Sequence, residues 1–215
     1  MIRTTAVGIE QCGAQIEALC AIGRLFYSRG WSVGTSSNFS VVLGRAPLHL
    51  LITASGRDKG RLAAADFTIV DASSQPIDAA SPRPSAETPL HAALMRRPDI
   101  GAVLHTHSVS ATVLSDVHFA SGAVEISGYE MLKGLSGVTT HDTRAAVPIL
   151  DNSQDMPALA EVVTKRFVES GEGHAFLDTM DEFVAEVADR TARERRQARH
   201  TDGLVLGQLR LKCGQ

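Results

Sequence analysis

The stretch NFSVVLGRAPLHLLIT, residues 38–53, constrains the fold more than any other. Two runs rich in apolar and β-branched residues, 38–43 and 47–53, flank the turn GRA, a pattern that predicts a β-hairpin. A hairpin commits its sheet to antiparallel pairing. DFTIVD at 66–71, GAVLHTH at 101–107, GAVEIS at 122–127, AAVPIL at 145–150 and HAFL from 174 predict further strands. Helices are predicted over 10–29, about 86–97, a short stretch after residue 107, and about 155–169. In the first, Ile16, Leu19, Cys20, Gly23, Phe26 and Tyr27 recur at helical spacing, and Gly30 ends it. In the second, Pro89 sits in the first turn and Pro98 lies past the end. The order predicts a three-layer α/β domain with a central, largely antiparallel sheet flanked by helices.

With 215 residues, 44% of them hydrophobic, the chain suits one domain with a substantial core. A net charge of −3 gives no general attraction to nucleic acid or anionic membrane. Residues 1–30 lack the features of a secretion signal, and no apolar run is long enough to span a bilayer. Three cysteines, Cys12, Cys20 and Cys213, fit a reducing compartment rather than a disulfide framework. Together these features imply a cytoplasmic protein.

From residue 178 the character changes. Residues 179–199 are predicted helical, with Met180, Phe183, Val184 and Val187 as an apolar stripe. The stripe runs into RTARERRQAR, where five arginines face one glutamate, and this reads as a solvated face. The final GLVLGQLRLKCGQ has no clear period.

The segment VLHTHSVS, residues 103–110, places two histidines at the end of an apolar run. In an extended chain His105 and His107 project to the same face and Thr106 points away. Two imidazoles so placed can share a divalent ion; zinc fits this chemistry, as do iron, cobalt and manganese. The alternative is a pair of polar histidines satisfied at a strand end. TSSNFS at 35–40, ITASG at 52–56 and PSAE at 84–87 are dense in hydroxyls and small residues. Each can offer hydroxyl and backbone N–H groups to a phosphate, or serve only as turn and helix cap. In SGYEMLKG at 127–134, Glu130 follows a strand beside aromatic and apolar residues. Partial burial there would raise its pKa and suit it to proton transfer; the alternative is a surface glutamate.

TSSNFS, ITASGRDKG, PSAE, VLHTHS, GYEMLKG and VPILDNSQDM occur in the order and approximate spacing of one family. Over about residues 10–177 the chain resembles the class II aldolase and adducin-like superfamily. SGRDKG, GYEMLKG and NSQDM resemble its dehydratase branch, which acts in methionine salvage, rather than its sugar-phosphate aldolases. The resemblance implies a class II aldolase-like fold, usually a homotetramer, and one zinc ion per subunit with His105 and His107 as ligands. It implies Glu130 as catalytic acid/base, and Ser36, Ser37, Asn38, Ser55, Gly56 and Ser85 around a substrate phosphate. It also places Glu87 beside the metal. The implied substrate is a small phosphorylated ketose that loses water. A sugar-phosphate aldolase and a non-catalytic adducin-like assembly protein are the alternatives.

The family takes its third metal histidine from a Gly-His-Gly motif after the strand that begins here as HAFL. This sequence continues LDTMDEFVAEV instead. His118, His141, His174 and His200 do not match the motif, and none is assigned. Residues 1–177 are therefore expected to form the family domain, and 178–215 a divergent tail. Divergence and a shift of reading frame near codon 178 both account for such a tail.

Overall fold

The computed structural model describes residues 8–135, 138–169, 175–178 and 182–187, the last two segments as backbone. The sheet contains β1 (Asn38–Arg45), β2 (Leu48–Thr53), β3 (Phe67–Asp71), β4 (Ile100–Thr106), β5 (Ala123–Ser127), β6 (Arg144–Leu150), β7 (Ala175–Asp178) and β8 (Glu182–Val187). Their order across it is β3-β2-β1-β4-β8-β7-β6-β5. Only β6 and β7 pair in parallel. The hairpin β1–β2 forms as expected, its register shifting between Val42 and Gly44.

The α-helices of the described residues are α1 (Gly13–Ser28), α2 (Thr88–Leu94), α3 (Val109–Val117) and α4 (Met156–Val163). Strand alternation builds a core on each face of the sheet. Phe39, Leu51, Ile69 and Leu104 pack with Ile16, Leu19 and Phe26 of α1. Leu50, Ile52, Val70 and Val103 pack with Leu90 and Leu94 of α2 and with Leu159 and Val163 of α4. The result is helix, sheet, helix.

Several boundaries differ from the sequence reading. The first helix starts at Gly13 after a 3-10 turn, Ile9–Gln11, and ends before the left-handed Gly30 at φ 72°. The second is shorter than expected, Thr88–Leu94. The helix expected over about 155–169 is α-helical to Val163 and continues as a wider π turn, Thr164–Glu169.

The larger correction concerns the expected helix over 179–199. Residues 182–187 form β8, paired with β4 from Ile100↔Val187 to Thr106↔Glu182 and with β7 on its other side. The physical reason lies in EFVAEV, where Phe183, Ala185 and Val187 alternate with Glu182 and Glu186. Such a segment satisfies a strand period as well as a helical one, and an available sheet position decides between them. Residues 179–181 and 188–199, and the tail beyond, lie outside the described residues.

Candidate active site

The site forms where β1 begins and β4 ends, beside the entrance to α2. Asn38 is the direct partner of His105 across β1 and β4, so the two side chains share a face of the sheet. Ser40 lies two residues on, on that same face. Ala54 bridges to Pro84, which brings the turn at 54–56 against PSAE. Glu87 caps α2.

A linked set of polar side chains follows. His91 is fully buried in α2, with Nδ1 2.5 Å from the Ser40 hydroxyl and Nε2 hydrogen-bonded to Asn38 Oδ1. The Asn38 amide donates through Nδ2 to Ser85 Oγ at 3.1 Å and to Glu87 Oε2. Because Oδ1 only accepts, Nε2 of His91 carries the proton, and Nδ1 accepts from Ser40. Burial pushes the His91 pKa down to about 3, with the charge of His105 adding to it and Glu87 opposing. Glu87 Oε2 also lies 2.9 Å from Nδ1 of His105. Burial pushes the Glu87 carboxyl up, but the bonds and charge of His105 and the bond from Asn38 outweigh it and hold its pKa low.

His105 is completely buried, and its ring centroid lies 4.5 Å from that of His107. The His107 backbone N–H donates to Trp31 O at 2.8 Å, which anchors the chain as it leaves β4. A pocket of about 240 Å³ opens beside this pair. Its wall contains Ser36, Ser37, Asn38, Ser55, Gly56 and Ser85, together with Lys59, Glu87 and His107. Ser37 holds a left-handed backbone at φ 71°, unusual for a residue with a side chain, and Gly56 takes φ 70° where no atom lies near a Cβ position.

Glu130 stands elsewhere. It opens the 3-10 turn Glu130–Gly134, its side chain is 67% exposed, and it does not line the pocket of its own chain. Lys133 Nζ lies 2.5 Å from one carboxylate oxygen and His141 Nδ1 2.9 Å from the other. The hydrogen bond from Lys133, with the charges of Lys133 and His141, holds the Glu130 pKa below the ordinary carboxylate value. Of the two readings of Glu130, the single chain shows the surface glutamate: the turn leaves this side chain exposed beside two basic groups.

Two residues at the site escaped the sequence reading. His91 lies four residues after Glu87, one helical turn on, and that spacing was the available signal. Lys59, inside SGRDKG, is 1% exposed at the pocket wall. Nothing in the local pattern marks a lysine there for burial.

Among the described residues no three His, Cys, Asp or Glu side chains are arranged to hold a metal ion. The imidazole pair supplies suitable nitrogen donors, and Glu87 is engaged with His105 rather than converging with it on a common point. His91 is no substitute, since Ser40 and Asn38 occupy both its ring nitrogens. His118, His174 and His200 remain unassigned, the last two outside the described residues, and His141 is exposed and paired with Glu130 and Asp142.

Residues 17–177 match the family model of the class II aldolase and adducin N-terminal domain. The chain belongs to that family. Among its relatives, the methylthioribulose-1-phosphate dehydratase of Marinobacter nauticus is 45% identical over 162 residues, covering 75% of this chain and 76% of that protein. The methylthioribulose-1-phosphate dehydratase of Pectobacterium carotovorum is 51% identical over 152 residues, covering 70% and 72%. Solved structures share the fold. YgbL from Escherichia coli superposes with TM-score 0.66 at 23% identity, covering 80% of this chain and 78% of that one. The L-fuculose-1-phosphate aldolase of Thermus thermophilus gives 0.63 at 23%, covering 83% and 82%.

Proposed function

We propose that the chain is a zinc-dependent hydro-lyase of methionine salvage, acting in the cytoplasm. It converts 5-methylthioribulose 1-phosphate to 2,3-diketo-5-methylthiopentyl 1-phosphate and water. The observation that carries this reading is one pocket uniting the hydroxyl and amide cluster with Glu87 and His107, beside His105. The 45% and 51% identities to dehydratases favour this branch over the aldolases, whose likeness is one of fold.

His105 and His107 would hold the zinc ion, with Glu87 orienting His105 through its 2.9 Å contact. When bound, zinc supplies Lewis acidity towards a substrate carbonyl. Ser36, Ser37, Asn38, Ser55, Gly56 and Ser85 bind the phosphate end and fix which carbon faces the histidines. The reaction removes the proton from C3, next to the C2 carbonyl, and then the hydroxyl from C4; the resulting enol becomes the diketone. Glu130 carries the proton from C3 to the departing oxygen.

Because Glu130 stands outside its own pocket, it serves the pocket of a neighbouring copy in a homotetramer. Val109, Val113 and Val117 repeat along the outer side of α3 and are exposed, as are Phe119, Tyr129 and Met131. Exposed apolar side chains of this kind suit contact between copies. The domain proper spans residues 1–177, followed by a divergent or frameshifted segment 178–215.

Assay with 5-methylthioribulose 1-phosphate and, separately, L-fuculose 1-phosphate tests the reading. Turnover of the first supports it; turnover of the second alone refutes it. A non-catalytic assembly role is the second reading, favoured by the lack of a three-residue metal cluster among the described residues. Under one zinc per several chains in protein purified without chelators, with no dehydratase activity, would support that role.

A further inference from the structure

We propose that Lys59 is the cationic anchor for the substrate's phosphate group. The inference rests on the proposed reading of the pocket as one for a phosphorylated substrate. Of the side chains lining that pocket, Lys59 and His107 alone are of basic type. The remaining side-chain donors, on Thr35, Ser36, Ser37, Asn38, Ser55 and Ser85, are neutral. A phosphate dianion taken out of water needs compensating positive charge as well as hydrogen bonds.

Lys59 is placed for that task by the backbone. Its Nζ donates to Arg57 O at 2.6 Å and to Thr35 O at 3.2 Å. It thus joins the two loops that form the pocket wall. Its main chain is pressed against α1: a Cβ on Gly23 would lie 2.3 Å from Lys59 O, and one on Gly60 2.7 Å from the Tyr27 ring. Carbonyl partners orient the ammonium but bring no net charge to balance it. Burial pushes its pKa down to about 8, against the opposing pull of Asp58, Glu87 and Asp66, and His107 faces the same pocket. A bound dianion reverses that destabilisation. Binding energy from the phosphate end is then available to hold the reacting carbons in place.

The test titrates inorganic phosphate into the full chain and into Lys59→Met, with the melting temperature of each recorded. Loss of a charge-assisted contact is expected to weaken phosphate binding about tenfold or more. The melting temperature shows whether the variant folds once Thr35 O and Arg57 O lose their donor. A folded Lys59→Met that binds phosphate as the parent does overturns the proposal and leaves the pocket reading intact. A parent chain that binds no phosphate overturns both. Should the variant not fold, the Lys59 Cε resonance of the parent decides: phosphate must move its titration upward, and an unmoved titration overturns the proposal. Neither experiment needs metal or turnover, so a failed dehydratase assay leaves the result standing.

Discussion

Oε2 of Glu87 lies 2.9 Å from Nδ1 of His105, across a gap that joins the start of α2 to the end of β4. The same oxygen accepts from Asn38, whose amide is held by His91. One carboxylate therefore links the polar network behind the pocket to the histidine pair. Partners of this kind orient metal-ligating imidazoles, and losing one usually costs about 10–100-fold in metal affinity.

Glu87→Gln is accordingly expected to weaken zinc binding by about 10–100-fold. Competition with a chromogenic chelator measures it. An unchanged affinity would separate Glu87 from the metal and leave it a helix cap.

The network also makes stability depend on pH. Burial holds the folded-state pKa of His91 down at about 3, well below the ordinary imidazole value of about 6.5. Between those values the unfolded chain binds more protons, so stability is present above the unfolded value and is lost as pH falls. The slope is about 1.4 kcal/mol per pH unit. Glu87, also lowered in the fold, adds loss as pH falls below the ordinary carboxylate range. Melting of metal-free protein between these pH values should show the slope, and His91→Gln should flatten it. An equal slope in the variant would assign the effect to other groups.

Phe39 lies between Asn38 and Ser40 but points to the opposite core, fully buried and edge-on to Phe26 at 5.6 Å. Phe39→Ala is expected to cost about 3–5 kcal/mol by denaturant unfolding. A loss below 1 kcal/mol, about the range of a tolerated core swap, would contradict the packing described.

At Gly23 the constraint is contact with backbone. A methyl group there would meet Lys59 O, which cannot yield as a flexible side chain does. Gly23→Ala should lower the melting temperature and weaken phosphate binding together. A stabilised variant with intact phosphate binding would mean that α1 does not set the position of Lys59.

The hairpin and the HxH strand are legible because their residues obey one period over a full element. Phe39 and Leu51 alternate with Ser40, Leu50 and Ile52 across the sheet, and the two cores follow. β8 was not legible because Phe183, Val184 and Val187 fit a helical period while Phe183, Ala185 and Val187 fit a strand period, and pairing with β4 and β7 decides between them. The burial of Glu130 was left open by the sequence, because apolar neighbours can themselves be exposed, as Tyr129 and Met131 are. Burial of Lys59 follows from the close approach of α1, a long-range contact that no local pattern announces.

The most direct test is the appearance of diketone when the purified chain is supplied with zinc and 5-methylthioribulose 1-phosphate. The expected result is zinc-dependent diketone formation, lost in His107→Ala and in Glu130→Gln. Zinc bound at one per chain with no diketone formed, or cleavage of L-fuculose 1-phosphate alone, would contradict it.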